Sequence, residues 1–213
     1  MSRGKKGPAL EMTGGFLLVM AWLNYISSIR FFMQALLAAV LHEGGHYIAV
    51  RVLGGTVSKI RLSAVGAQMQ QEGTLSYGKE FISTAAGPAV NLIVAFAAAK
   101  LAGDEGFVFA GLNLALFVLN MLPFAELDGG RCLFLLVTWW LGPAHSVKVC
   151  GWLECALSCG LVCVGGYVLV AGGNITLLPV SIWLLCQNVR KMFASGGKKG
   201  LSFLRRTGKM IRA

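Results

Sequence analysis

Long apolar runs constrain this chain more than any other feature. Six stretches, Gly14–Ser28, Phe31–Leu53, roughly Phe81–Leu101, roughly Phe107–Phe124, Val147–Ala171 and Ile175–Val189, approach the length of a membrane span. A helix needs about 20 apolar residues to cross about 30 Å of hydrocarbon. Lipid offers no partner to backbone N–H and C=O groups, which makes helices the natural spanning structure. The pattern predicts an all-α polytopic membrane protein with about six transmembrane helices. Composition agrees, with 56% hydrophobic and 13% charged residues among 213 and a mean hydropathy of +0.69, too apolar for an ordinary soluble domain. The piece Cys132–Leu141 is too short to span and is expected as a half-helix or interfacial segment.

The formal net charge of +10 raises the question of nucleic acid. The basic residues flank apolar runs, however, and do not alternate with aromatic residues on a polar surface, so no nucleic-acid partner is expected. Topology explains the charge better. With both termini inside, Arg30 and Lys100 are the only basic residues assigned outside, as the positive-inside rule demands. Arg3, Lys5 and Lys6 precede the first run as they would in a signal peptide, but no convincing small-x-small cleavage site follows it. The reading divides the chain into a basic cytoplasmic N-terminus (1–13), one membrane domain (14–189) and a basic cytoplasmic tail (190–213). That tail carries eight basic residues and no acidic one, suited to anionic headgroups of the bilayer.

Between the second and third spans, Thr56–Gln71 alternates Val57, Lys59 and Arg61 against Ile60 and Leu62, with a turn expected at Val65–Gly66. This predicts a small β-hairpin, although the imperfect alternation leaves a plain loop open. The six cysteines form no CxxC pair, so neither a disulfide framework nor a thiolate metal site is expected. Cys155, Cys159 and Cys163 recur every four residues and read as small residues packing one helix against another.

The second run contains His42-Glu43-Gly44-Gly45-His46. On a helix, residues four apart share a face, so both imidazoles can reach one metal ion. Glu43 then stands beside them, placed to take a proton from an attacking water. That is the chemistry of HExxH: two nitrogen ligands for Zn2+ and a general base. Burying two histidines and a glutamate among Val40, Leu41, Ile48 and Val50 is costly, and ionisable groups inside a membrane are functional candidates. A structural hydrogen-bonded pair is the alternative.

Catalytic zinc commonly has three protein ligands and an open position. Asp128 is the best third candidate. It follows the fourth run in Asn120-Met121-Leu122-Pro123-Phe124-Ala125-Glu126-Leu127-Asp128-Gly129-Gly130-Arg131, where proline and glycines allow a broken helix to turn a carboxylate inward. Glu126 and Glu154 compete for that role, and capping a helix is the alternative for Asp128 itself. Under the predicted topology His46 lies about 10 Å from the cytoplasmic end of its span, and Asp128 follows the cytoplasmic end of the fourth. His145 has no comparable context and reads as an interfacial histidine.

These residues resemble the site-2 protease family of intramembrane zinc metalloproteases, through HEGGH at 42–46 and LDGG at 127–130. Ala86-Gly87-Pro88-Ala89-Val90-Asn91 resembles that family's AGPxxN element, and Asn120 with Pro123 resembles the lead into its LDG motif. The likeness covers most of the chain and is greatest to the branch of stage IV sporulation protein FB. It implies zinc held by His42, His46 and Asp128, with Glu43 as acid and base. Asn91 and Asn120 would orient substrate or line the site, or else hydrogen-bond between helices. Gly87 and Pro88 read as packing and kinking residues. The implied partners are the lipid bilayer and a membrane-spanning or membrane-associated regulatory precursor, such as a sporulation sigma factor. A regulatory membrane partner is compatible with this. That branch commonly carries a C-terminal nucleotide-binding CBS domain, where this sequence has a basic tail, so nucleotide regulation of that kind is not expected.

The expected reaction is therefore peptide hydrolysis at a multi-pass protein of a bacterial cell membrane. A prenyl-protein-processing protease would require a downstream glutamate as third ligand. A metal-ion transporter or inactive scaffold could use the same histidines and aspartate, but would not need Glu43 beside them.

Overall fold

A computed structural model of the chain describes residues 9–63, 66–72, 75–101, 103–172 and 177–195. They belong to two compact units, one within Met1–Leu122 and one within Pro123–Ala213. Helices dominate both, with a small sheet in the first.

The first unit comprises β1 (Ala9–Met12), α1 (Gly14–Ile26), α2 (Ile29–Val52), β2 (Thr56–Ser63), β3 (Gly66–Glu72), α3 (Tyr77–Leu101) and α4 (Gly103–Asn120). Both helix starts in its N-terminal third are capped by hydroxyls. The Thr13 side chain accepts from the Phe16 N–H and that of Ser28 from the Phe31 N–H, each at 3.3 Å, satisfying donors that have no intrahelical partner. α3 packs against both α2 and α4, and α2 also touches α4.

The expected hairpin is present as antiparallel β2 and β3, paired from Thr56 with Glu72 to Ser63 with Gly66, with an irregularity between Val57 and Lys59. Val65, half of its expected turn, lies outside the described residues. A third strand was not foreseen. β1 adds to β2 in parallel, placing Ala9 opposite Lys59 and Met12 opposite Leu62, and Lys59 pairs with Glu11 at 2.5 Å. Four residues without alternation carry no strand signal of their own; the partner strand nearly fifty residues later supplies it.

The second unit comprises α5 (Asp128–Leu141), α6 (Pro143–Val170) and α7 (Leu177–Ser195). Gly142, at φ +79°, ends α5 and lets Pro143 open α6, the first-turn position where a missing N–H costs nothing. Across that corner Thr138 and Ser146 share a 2.7 Å hydroxyl hydrogen bond. Farther along, Asn188 of α7 donates to the Ser158 hydroxyl of α6 at 2.8 Å.

Two helices, Tyr77–Leu101 and His145–Val170, are long and apolar enough to cross a membrane, while Gly14–Ile26 and Gly106–Asn120 are apolar but shorter. α2 has the length, 24 residues, but is diluted by Arg30, Gln34, His42, Glu43, His46 and Arg51. The 14-residue α5 agrees with the short segment expected over Cys132–Leu141. Among the described residues several polar side chains are buried while many large apolar ones are exposed. Asn91, Asn113, Ser146 and Ser158 are fully buried, whereas Tyr25, Trp140, Trp152 and Tyr167 are exposed. Such a surface is stable against lipid, with polar groups turned toward other helices.

Candidate metal centre

α2 places His42 and His46 one turn apart, and their Nε2 atoms lie 3.2 Å apart. Two nitrogens bound to one tetrahedral zinc at 2.0–2.1 Å would be separated by about 3.3 Å. The imidazole pair therefore has the spacing of two ligands on a single ion. The rings meet edge to face, 82° between their planes, so that both Nε2 atoms converge while the ring bodies diverge. His42 is buried and His46 half-buried.

The other nitrogen of His46 is held from α3. Nδ1 lies 2.8 Å from the Ser83 carbonyl oxygen, and an Nδ1–H donated there leaves Nε2 with its lone pair. A ligating histidine commonly has such a partner, which sets tautomer and ring orientation. Pro88 sits inside α3 and has no N–H to donate to the Thr84 carbonyl, in the turn next to Ser83. Ser83 was not singled out from the sequence, because it acts through its backbone and any residue type carries a carbonyl.

Two glycines make this approach of α2 and α3 possible. A Cβ on Gly45 would lie 2.8 Å from the Ala86 carbonyl oxygen and 2.9 Å from a Val90 methyl, and one on Gly87 would overlap the His46 ring. The glycine of the Ala86-Gly87-Pro88 element is thus where the imidazole fits, in keeping with the packing role read for it. Gly44 meets nothing within 4 Å. Lys79 further ties the start of α3 to the end of α2 by donating to the Leu53 carbonyl at 3.1 Å.

Asp128 is the first residue of α5 and is half-buried; the cap position belongs to Leu127, which makes no side-chain cap bond. The carboxylate stands in the first turn, where the helix dipole favours negative charge. The segment before it folds back tightly. Leu127 N–H donates to the Phe124 carbonyl at 2.9 Å and Arg131 N–H to the Leu127 carbonyl at 3.1 Å, while a Cβ on Gly130 would overlap the Phe124 carbonyl. Gly130 is therefore required by the turn that sets the aspartate at a helix start.

The His42–His46 pair could hold a metal ion, and imidazole and carboxylate ligands both suit zinc. Glu43 follows His42 on α2 and is half-buried. Asn91 is fully buried on α3, one turn past Gly87. Asn120 donates to the Leu116 carbonyl of its own helix at 3.0 Å, so this bond joins no second helix. Of the other candidates, Glu126 is exposed and Glu154 is buried in α6. His145 is exposed, and its Nδ1 lies 2.9 Å from the Leu141 carbonyl oxygen. Asn113, which the sequence reading passed over, is fully buried in α4; a lone amide in an apolar helix was its available signal.

No family model matches the chain. It is similar to stage IV sporulation protein FB of Bacillus subtilis (strain 168), 28% identical over 181 residues, covering 80% of this chain and 60% of that protein. The chain thus spans about three fifths of that relative's length. Its fold is that of the site-2 protease from Methanocaldococcus jannaschii, with a TM-score of 0.59, 23% identity, and coverage of 85% of this chain and 89% of the other. The chain is thus similar in sequence to the first protein and in fold to the second.

Proposed function

We propose that this protein is an intramembrane zinc endopeptidase that cleaves membrane-spanning or membrane-associated precursor proteins near the cytoplasmic face. The observation that carries the reading is the His42–His46 pair, one turn apart on α2, whose Nε2 atoms stand at the separation of two ligands on one ion. Asp128 is proposed as the third ligand. Bound by these three residues, zinc would supply Lewis-acid activation of water and of the scissile carbonyl.

The residues of the chain carry the remaining steps. Glu43 takes a proton from the attacking water, whose oxygen bonds to the peptide carbon; the C–N bond then breaks and Glu43 returns the proton to the leaving amine. The Ser83 carbonyl keeps His46 in one tautomer throughout. A helical substrate hides its carbonyls, so it must be unwound locally before attack. The β2–β3 hairpin could hold the extended strand by edge pairing, backbone to backbone.

By the charge distribution, both termini are proposed to lie on the cytoplasmic side of a bacterial cell membrane. The likeness to a sporulation protein makes a sporulation sigma-factor precursor one substrate to test. The deciding experiment co-expresses the protein with membrane-tethered candidate substrates and compares it with Glu43→Gln. Retained zinc with lost cleavage supports the protease; metal flux that persists in the variant would establish transport instead.

A further inference from the structure

We infer that the α3–α4 hairpin encloses a hydration site, in which water is held between the side-chain amides of Asn91 and Asn113. Both residues are completely buried. Among the described residues, neither the Oδ1 nor the Nδ2 of Asn91 has a hydrogen-bond partner, and the Oδ1 of Asn113 has none. Asn113 spends only its Nδ2, which donates to the Phe109 carbonyl at 2.9 Å. Buried polar side-chain atoms are nearly always paired, with protein or with ordered water, and the cost of leaving them bare is greatest in apolar surroundings.

The two amides lie at one depth. α3 ends at Leu101 and α4 starts at Gly103, whose φ of +55° belongs to the left-handed region and serves the chain reversal. The helices pack extensively on each other, as two helices joined by one residue can only when antiparallel. Asn91 lies ten positions before Leu101, the end of α3, and Asn113 ten positions after Gly103, the start of α4, so each is about 15 Å along its helix from that end. Asn91 shares the buried face of α3 with Gly87 and Ala95, and Asn113 shares that of α4 with Gly106 and Ala110. The residues beside both amides on these faces are small.

The chemistry of the unpaired atoms selects the occupant. They comprise one donor group, Asn91 Nδ2, and two acceptors, Asn91 Oδ1 and Asn113 Oδ1. Water accepts from the first and donates to the other two, the three hydrogen bonds usual for a buried water. A cation would find two neutral oxygens and no carboxylate, and an anion would find a single donor group. Neither would be repaid for its dehydration.

Asn91 lies one helical turn from Gly87, against which His46 packs. Hydrolysis consumes one water per bond cleaved, and this site could store it close to the histidines. That role rests on the proposed protease function; the hydration site does not.

Water-edited solid-state NMR on the full-length protein, labelled with 15N-asparagine and reconstituted in phosphatidylglycerol/phosphatidylethanolamine bilayers, tests the inference directly. The Asn91 and Asn113 side-chain signals are expected to gain intensity from water several-fold faster than Asn188, a buried amide already paired with Ser158. Asn113→Leu should at least halve the transfer into Asn91. Build-up at both amides no faster than at Asn188, or transfer into Asn91 unchanged in Asn113→Leu, would overturn the shared site. Fast transfer in a protein that cleaves no substrate leaves the hydration site standing and removes only its catalytic role.

Discussion

The His46 imidazole occupies the space that a side chain on Gly87 would need. A Cβ built there overlaps the ring, while the ring's Nδ1 lies 2.8 Å from the Ser83 carbonyl on the same helix. One face of α3 therefore both leaves room for a candidate ligand and fixes its orientation. The two functions cannot be separated, because retreat of α3 to accommodate a methyl would lengthen the Ser83 bond.

Gly87→Ala should consequently displace His46. Zinc affinity measured by competition with a chromophoric chelator is expected to fall about 10–100-fold, the usual effect of disturbing a ligand's support. Gly44→Ala, with open space at its Cβ, is the matched control and should bind zinc as the wild type does. Equal affinities for the two variants would mean that the close contact is unimportant for the metal.

Gly45→Ala separates the two glycines of the histidine motif. Its Cβ would press on the Ala86 carbonyl and Val90, an overpacking that typically costs about 1–3 kcal/mol. A lower midpoint of thermal unfolding in detergent is expected for Gly45→Ala and not for Gly44→Ala.

Glu43→Gln should retain zinc and lose cleavage by about 10²–10⁴-fold, the range general acid–base catalysis supplies. Asp128→Ala should lose both. Quantification of zinc beside product formation distinguishes the roles, and an Asp128→Ala protein with full zinc content and activity would remove the aspartate from the proposed ligand set.

Removing metal with 1,10-phenanthroline should abolish cleavage, and added Zn2+ should restore it. Ser83→Ala, which keeps the carbonyl, should change neither zinc affinity nor cleavage by more than about twofold, since only the backbone of Ser83 supports the ring. A large loss in Ser83→Ala would assign a role to its hydroxyl, which donates to the Glu80 carbonyl at 2.9 Å.

Deleting the hairpin over Thr56–Gln71 should impair cleavage of a membrane-tethered substrate while zinc content survives. Unchanged cleavage would remove strand pairing from substrate recognition.

The apolar runs and one charged motif were sufficient to announce helices and a candidate metal pair. Periodicity and hydropathy are local properties, and His42 and His46 belong to one helix, so their common face follows from helix geometry alone. The boundaries of α1 and α2 and the β2–β3 hairpin were legible for the same reason. What depends on a partner distant in sequence was not. β1 is a strand only because β2 lies beside it, Ser83 orients His46 through a carbonyl that no residue type advertises, and Gly45 and Gly87 show their purpose only once α2 and α3 meet. Asn91 and Asn113 are not linked to one another until the hairpin brings them to one depth, with both polar atoms of Asn91 and the Oδ1 of Asn113 lacking partners among the described residues. Local sequence thus selected the chemistry available, whereas tertiary packing decided which atoms are oriented, which are crowded and which are left to water.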